Sequence, residues 1–371
     1  MTMSMTKLIE MSRKYGKNPD FVLAGGGNTS LKDGDFMYIK GSGTALSTIT
    51  NDGFVKMNRK KLAEVFEKTY PDDDKTREAM SLKDLFLARA EGEEKRPSVE
   101  TLLHSLFPFK YVLHLHPSLV NGLTCSVGGR KASEEIFGDS VLWIEPCKPG
   151  YTLAKICCDA LATFKKEHNK PCDMMLLANH GVFVAAETRE ELDKKLSFIL
   201  EKIGEKNIYM PDFSTGEFLP DESNDAFEEI NAVFSEYLED CFVTFEPNTE
   251  ALRFAKSEHS AQDVLRPFTP DHIVYCKPYP LYLERVCDIK SLVSEYLKKH
   301  GYLPKILLVK DCGFFSVDKT VKGASTAAAL FDDALKIAVY SKSFGGPRFM
   351  SEELTDFIVN WEAESYRSSQ N

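Results

Sequence analysis

The chain has 371 residues, 43% of them hydrophobic and 27% charged, and a formal net charge of −10. That length allows one large domain or two ordinary ones with a sizeable core. The acidic balance excludes a general nucleic-acid binder, which needs a basic face to neutralise phosphates. No apolar run approaches the roughly 20 residues of a membrane span, and the stretch from Met1 to Lys7 holds no long apolar leader segment. The nine Cys are an odd number without a CxxC pair. They read as reduced, mostly buried thiols, so a cytoplasmic protein with no membrane partner is expected.

In chain order, residues 5–15 predict a short amphipathic helix. A glycine-rich stretch over 24–31 follows, between short strands at 21–23 and 35–40. The second of these ends in Gly41-Ser42-Gly43-Thr44. Residues 58–68 read as a helix; the run 71–97 is highly charged, with 70–74 and 91–96 read as solvated loops. Ser98 opens a short helix that Pro108 stops. Then come a strand carrying His114 and His116, a helix at 118–124, a strand at 141–144 and a helix at 151–165. A strand at 174–177, a turn at His180-Gly181, a strand at 182–185 and a long helix to about 204 complete a first domain over 1–208. Pro211, Gly216 and Pro220 mark a linker at 209–225. Beyond it lie a helix at 226–240, a strand at 271–275, a helix at 289–300, a strand at 305–309 and a helix at 324–341. This order predicts a smaller α/β domain over 226–371.

Chemistry concentrates in the first domain. Residues i and i+2 of a strand face the same way, so His114 and His116 can share one metal ion. A third imidazole from His180, on a neighbouring strand, would leave one tetrahedral position open, as in catalytic rather than structural zinc sites. A half-buried histidine pair without metal is the plainer reading of the His-x-His alone.

The glycine-rich loop is neither a P-loop nor a dinucleotide fingerprint. Three consecutive glycines can still aim several N–H groups at one anion, and Asn28 adds a side-chain donor. Gly41-Ser42-Gly43 offers a second such loop beside the positive charge of Lys40, and a helix start at Ser98 favours an anion as well. Each feature alone is also an ordinary turn or cap; together they suggest a phosphorylated substrate. Glu100, in the first turn of that helix, is either a surface carboxylate favoured by the helix dipole or a general base near the metal.

The set Gly26-Gly27-Asn28-Thr29-Ser30, Ile39-Lys40-Gly41-Ser42-Gly43, Pro97-Ser98-Val99-Glu100, His114-Leu115-His116-Pro117 and Asn179-His180-Gly181 resembles, in this order, the class II aldolase/adducin family. The likeness spans about 5–205 and includes Lys148-Pro149-Gly150. The remainder, with Thr269-Pro270-Asp271-His272 and Trp361-Glu362, is similar to the region after the aldolase part of bifunctional rhamnulose-1-phosphate aldolase/lactaldehyde dehydrogenases. No GxGxxG occurs, so no dehydrogenase activity is expected.

The resemblance implies an α/β fold: a central mixed, mostly antiparallel sheet flanked by helices, with a smaller C-terminal α/β domain. It implies Zn²⁺, or another divalent metal, on His114, His116 and His180, with Glu100 as the catalytic carboxylate. Substrate phosphate would sit on Gly27, Asn28, Ser42, Gly43 and Ser98, with Lys40 a further candidate. The implied reaction cleaves a ketose 1-phosphate of the rhamnulose or fuculose type to dihydroxyacetone phosphate and an aldehyde. A homo-oligomer, with a tetramer favoured, is implied too. Lys40 is equally similar to the sugar-phosphate epimerases of the family, whereas Glu100 favours the aldolases. Epimerase or dehydratase chemistry on the same scaffold is therefore the alternative. An adducin-like binding protein without catalysis is a third reading, against which the complete histidine set counts.

Overall fold

The computed structural model describes residues 3–216 and 220–361. They form two units: 3–124 with 129–206 and 361, and 125–128 with 207–216 and 220–360. Among the described residues no helix is long and apolar enough to cross a membrane.

The first unit is built on seven strands: β1 Asn28–Asp33, β2 Phe36–Lys40, β3 Phe54–Asn58, β4 Tyr111–Leu115, β5 Leu142–Ile144, β6 Met174–Leu177 and β7 Gly181–Ala186. They lie in the order β3-β2-β1-β4-β7-β6-β5. Only β5 and β6 pair in parallel; the other five pairs are antiparallel. Helices flank the sheet: α1 Met3–Gly16, α2 Arg59–Glu67, α3 Asp74–Leu87, α4 Thr101–Leu106, α5 Ser118–Thr124, α6 Gly129–Phe137, α7 Tyr151–His168 and α8 Arg189–Lys206. This is the mixed, mostly antiparallel sheet between helices that the resemblance implies. β4 is central in the sheet and buried along its whole length, so side chains on both of its faces are covered, which explains its nearly continuous apolar sequence. Val112 on β4 packs with Met37, Ile39, Phe107, Met175 and Phe183 in the core.

The structure adds one element here and corrects two local expectations. Between the two expected loops of the charged run lies a helix that the sequence reading left unassigned, α3 at Asp74–Leu87. Its buried residues Glu78, Ser81 and Leu85 fall on a helical stripe, and Asp73 caps it by accepting from the Thr76 N–H at 2.8 Å. Abundant surface charge masked that stripe. Residues 21–23 form no strand, and the short helix starts at Thr101 rather than Ser98, with Glu100 as the residue before it.

The second unit carries a four-stranded sheet in the order β8-β11-β10-β9. Its strands are β8 Phe242–Glu246, β9 Leu281–Leu283, β10 Ile306–Val309 and β11 Gly313–Asp318. Its helices are α9 Pro220–Ser235, α10 Thr249–Ala255, α11 Glu258–Ala261, α12 Pro270–Cys276, α13 Ile289–His300, α14 Val321–Ser341 and α15 Glu352–Val359. The expected strand at 271–275 is instead α12. Thr269 stands at its N-cap and Pro270 in its first turn. Proline fits there because its missing N–H would have had no helical partner.

Candidate functional site

His114 lies on the central strand, fully buried, and His116 follows one residue past the end of that strand. Their Nε2 atoms are 2.8 Å apart. His180 ends the turn between β6 and β7, where its N–H donates to the Leu177 carbonyl at 3.2 Å. Asn179 turns the chain with φ +55°, a left-handed conformation that Asn tolerates better than most residues. Gly181 is required by contact: a Cβ there would lie 2.8 Å from the His116 Cδ2 atom. The imidazole centroids are 4.7, 4.9 and 5.2 Å apart. One nitrogen from each ring falls within 4.8 Å of the others, so the three could hold a metal ion.

Hydrogen bonding decides which nitrogen of His114 is available. Nδ1 lies 3.0 Å from the Val182 carbonyl. A carbonyl only accepts, so Nδ1 carries the hydrogen and Nε2 presents a lone pair. The Phe183 ring, stacked at 4.2 Å between centroids, holds the imidazole from behind. Burial pushes His114 down to about 4 against the opposing pull of Glu100, which leaves it neutral near pH 7.

Glu100 completes the cluster. Its Oε1 is 3.0 Å from the His114 Nε2 and 3.2 Å from the His180 Nε2, and accepts no well-formed hydrogen bond from the described residues. Burial, the largest influence, would raise the Glu100 carboxyl, yet its contacts with the His114 and His180 imidazoles together outweigh it and hold the group well below the usual carboxylate range. A neutral His114 and an ionised Glu100 are compatible when a cation sits among these atoms, because the lone pairs then face positive charge rather than each other.

Of the expected anion residues, Gly27, Asn28 and Ser98 adjoin this cluster. The β1–β4 register places Asn28 opposite His114. Gly27 precedes it at φ +63°, and a Cβ there would come within 3.1 Å of the His114 carbonyl oxygen. Asn28 donates its side-chain N–H to the Glu100 Oε2, so the structure gives it a partner in the carboxylate. Buried Ser98 accepts from the Glu100 N–H at 3.2 Å through its hydroxyl. Ser42 donates its N–H to the Arg96 carbonyl at 2.9 Å, and Gly43 adopts φ +78°. Lys40 is buried, with its ammonium bonded to the Gly25 and Thr44 carbonyls.

Sequence reading passed over His104. It is fully buried, four residues after Glu100, with Nδ1 2.8 Å from the Ser30 hydroxyl and its ring edge-on to Phe183. The spacing from Glu100 was the available signal, since residues four apart share a helix face. Burial, the dominant cause, pushes its imidazole well below its ordinary value. A neutral wedge thus braces the short helix against β1.

A family model described as Class II Aldolase and Adducin N-terminal domain matches residues 6–202. The chain is also similar to an uncharacterized oxidoreductase, YuxG, of Bacillus subtilis (strain 168). The two are 23% identical over 411 aligned positions, which cover 97% of this chain and 58% of that protein. The chain thus spans less than two thirds of that curated relative's length. Among solved structures, the N-terminal class II aldolase domain of a conserved protein from Thermoplasma acidophilum is 27% identical, covers 55% of this chain and 94% of its own, and gives a TM-score of 0.47. An L-fuculose-1-phosphate aldolase from Thermus thermophilus is 14% identical, covers 53% and 92%, and gives 0.34. With more than half of its length matched by the family model, the chain belongs to the class II aldolase and adducin family.

Proposed function

We propose that the protein is a zinc-dependent aldolase that cleaves a ketose 1-phosphate of the rhamnulose or fuculose type to dihydroxyacetone phosphate and an aldehyde. The convergence of His114, His116, His180 and Glu100 on one point carries this reading. Three imidazoles without a thiolate suit Zn²⁺ with an open coordination position. The Nδ1 contact of His114 with the Val182 carbonyl is the outer-shell bond that orients a ligating histidine. The bound ion supplies Lewis-acid stabilisation of negative charge on substrate oxygens.

The remaining steps belong to the chain's own groups. In cleavage the C4 hydroxyl gives its proton to water, C4 becomes the aldehyde carbon, and the C3–C4 electron pair stays on C3. Glu100 returns a proton to that carbon in cleavage and removes it in condensation. Asn28 steadies the Glu100 Oε2 and so leaves Oε1 directed at the histidines. Gly27, Asn28, Ser42, Gly43 and Ser98 form the phosphate site, which holds C3 in register with the carboxylate and turns binding energy into orientation.

In this reading residues 1–208 are catalytic, 209–225 a linker and 226–371 accessory, and the protein is a cytoplasmic homo-oligomer, with a tetramer favoured. Lys40, in Ile39-Lys40-Gly41-Ser42-Gly43, is as similar to the family's sugar-phosphate epimerases as to its aldolases, which keeps an epimerase or dehydratase as the second reading. The deciding experiment measures dihydroxyacetone phosphate release from a panel of ketose 1-phosphates with and without a chelator. Chelator-sensitive release from one sugar is expected. No release from any of them by protein with bound zinc would replace the aldolase with the second reading.

A further inference from the structure

The three segments that suggest an anion site meet at one side chain. Lys40 ends β2 with only 3% of its surface exposed. Its ammonium donates to the Gly25 carbonyl at 2.9 Å and to the Thr44 carbonyl at 2.8 Å. Its own carbonyl accepts from the Ser98 N–H at 3.2 Å. Gly25 belongs to the first glycine loop, Thr44 closes the second, and Ser98 leads into Glu100. A buried ammonium is tolerated only when hydrogen bonds replace its water, and here the two loop carbonyls do so. In return each loop is anchored to the same charged atom, which fixes their separation.

We propose that Lys40 is a positioning residue: it clamps the first glycine loop to the second, and both to the Ser98 segment, without touching the substrate. This assignment rests on the reading of those loops as the phosphate site. It differs from the role suggested by sequence, in which a lysine beside two glycine loops would contact the phosphate directly. An extended lysine reaching into solvent could do that, but this one is folded back onto backbone oxygens. Its charge still adds to the attraction for an anion, while its hydrogen bonds hold the N–H groups of the loops in place.

The test compares wild type with Lys40→Met, which keeps the length of the stem and removes the donors. Hydrogen exchange on the ligand-free protein should be about tenfold or more faster in the peptides covering 22–31 and 41–48. Exchange in β4 and metal content should stay unchanged. With an active ketose phosphate, KM should rise about tenfold while kcat changes by less than about threefold, and Lys40→Arg should restore part of the affinity. Unchanged exchange in both loop peptides would overturn the clamp.

Should Lys40→Met fail to fold, wild-type protein decides by labelling with an amine-acylating reagent. A Lys40 that stays unlabelled with and without inorganic phosphate supports the clamp; labelling of Lys40 in the absence of phosphate overturns it. The exchange experiment contains no substrate, so it reads the clamp independently. The phosphate reading fails separately if the wild type binds no inorganic phosphate.

Discussion

Two buried histidine arrangements in this molecule have opposite consequences. In the first unit, the lone pair of His114 Nε2 faces the Glu100 carboxylate at 3.0 Å, with His116 and His180 beside them. In the second unit, His272 sits on α12 with Nδ1 3.3 Å from the Thr269 hydroxyl and Nε2 3.2 Å from the Asp333 carboxylate. That second set repeats the hydroxyl–imidazole–carboxylate order of nucleophilic sites. Thr269, however, is only 2% exposed at the start of a helix, so no substrate reaches it. Its donors and acceptors close on one another and tie α12 to α14, whereas the three imidazoles of the first cluster are placed so that they could hold a metal ion. A buried histidine beside a carboxylate thus serves as a brace where hydrogen bonds hold both of its ring nitrogens, and is suited to a metal where further imidazoles converge on it.

Substitutions can break this comparison, and the largest effect belongs to the open cluster. His116→Ala should abolish metal binding and reduce turnover to background, as read by metal analysis of the purified protein and by product release. Retained stoichiometric metal would remove His116 from the ligand set. Glu100→Gln should keep the metal and lose turnover by about 10²-fold or more. Turnover near wild type would show that the carboxylate moves no proton.

The closed cluster predicts a different outcome. His272→Ala should leave the metal content unchanged and cost about 1 to 3 kcal/mol in denaturant unfolding, because Asp333 loses a buried donor. A metal-free His272→Ala protein would contradict the division of roles.

A smaller, pH-dependent contrast separates the units. Burial, helped by the charge of Arg59, pushes the Lys32 ammonium down to about 7. The folded state then binds fewer protons than the unfolded state between pH 7 and the ordinary lysine range. The contribution of Lys32 to stability is therefore full above that range and lost as pH falls through about 7. Burial, with Glu246 adding to it, pushes the Asp332 carboxyl up to about 7. Its contribution has the opposite sign, full below the ordinary carboxylate range and lost as pH rises through about 7. Lys32→Met should flatten the alkaline rise by about 2 kcal/mol, and Asp332→Asn the fall between about pH 4 and 7 by a similar amount or less. Equal pH profiles for variants and wild type would show that neither group is shifted.

Much of the site was legible in the chain. His114 and His116 announce a shared face through the two-residue period of a strand, and Asn179-His180-Gly181 announces a tight turn. The helix α3 was not legible, because its stripe of Glu78, Ser81 and Leu85 contains two polar residues. Glu78 is buried because it accepts from the Tyr151 N–H at 2.9 Å, a partner 73 residues away. The helix α12 was mistaken for a strand because Ile273, Val274 and Tyr275 favour extended structure. Its whole length is buried, so packing overrides that local preference.

By itself the sequence determined which groups are available and how neighbours along one element are oriented: the histidine pair, the glycine loops and the turn before β7. These follow from backbone geometry over a few residues. Only the tertiary structure decided which of those groups meet. Pairing of β1 with β4 sets Asn28 opposite His114, the N-cap of α4 sets Glu100 beside the imidazoles, and the fold buries Lys40 against two loop carbonyls. Such contacts depend on strand order and on hydrogen bonds closed across long sequence separations, and no local pattern records them.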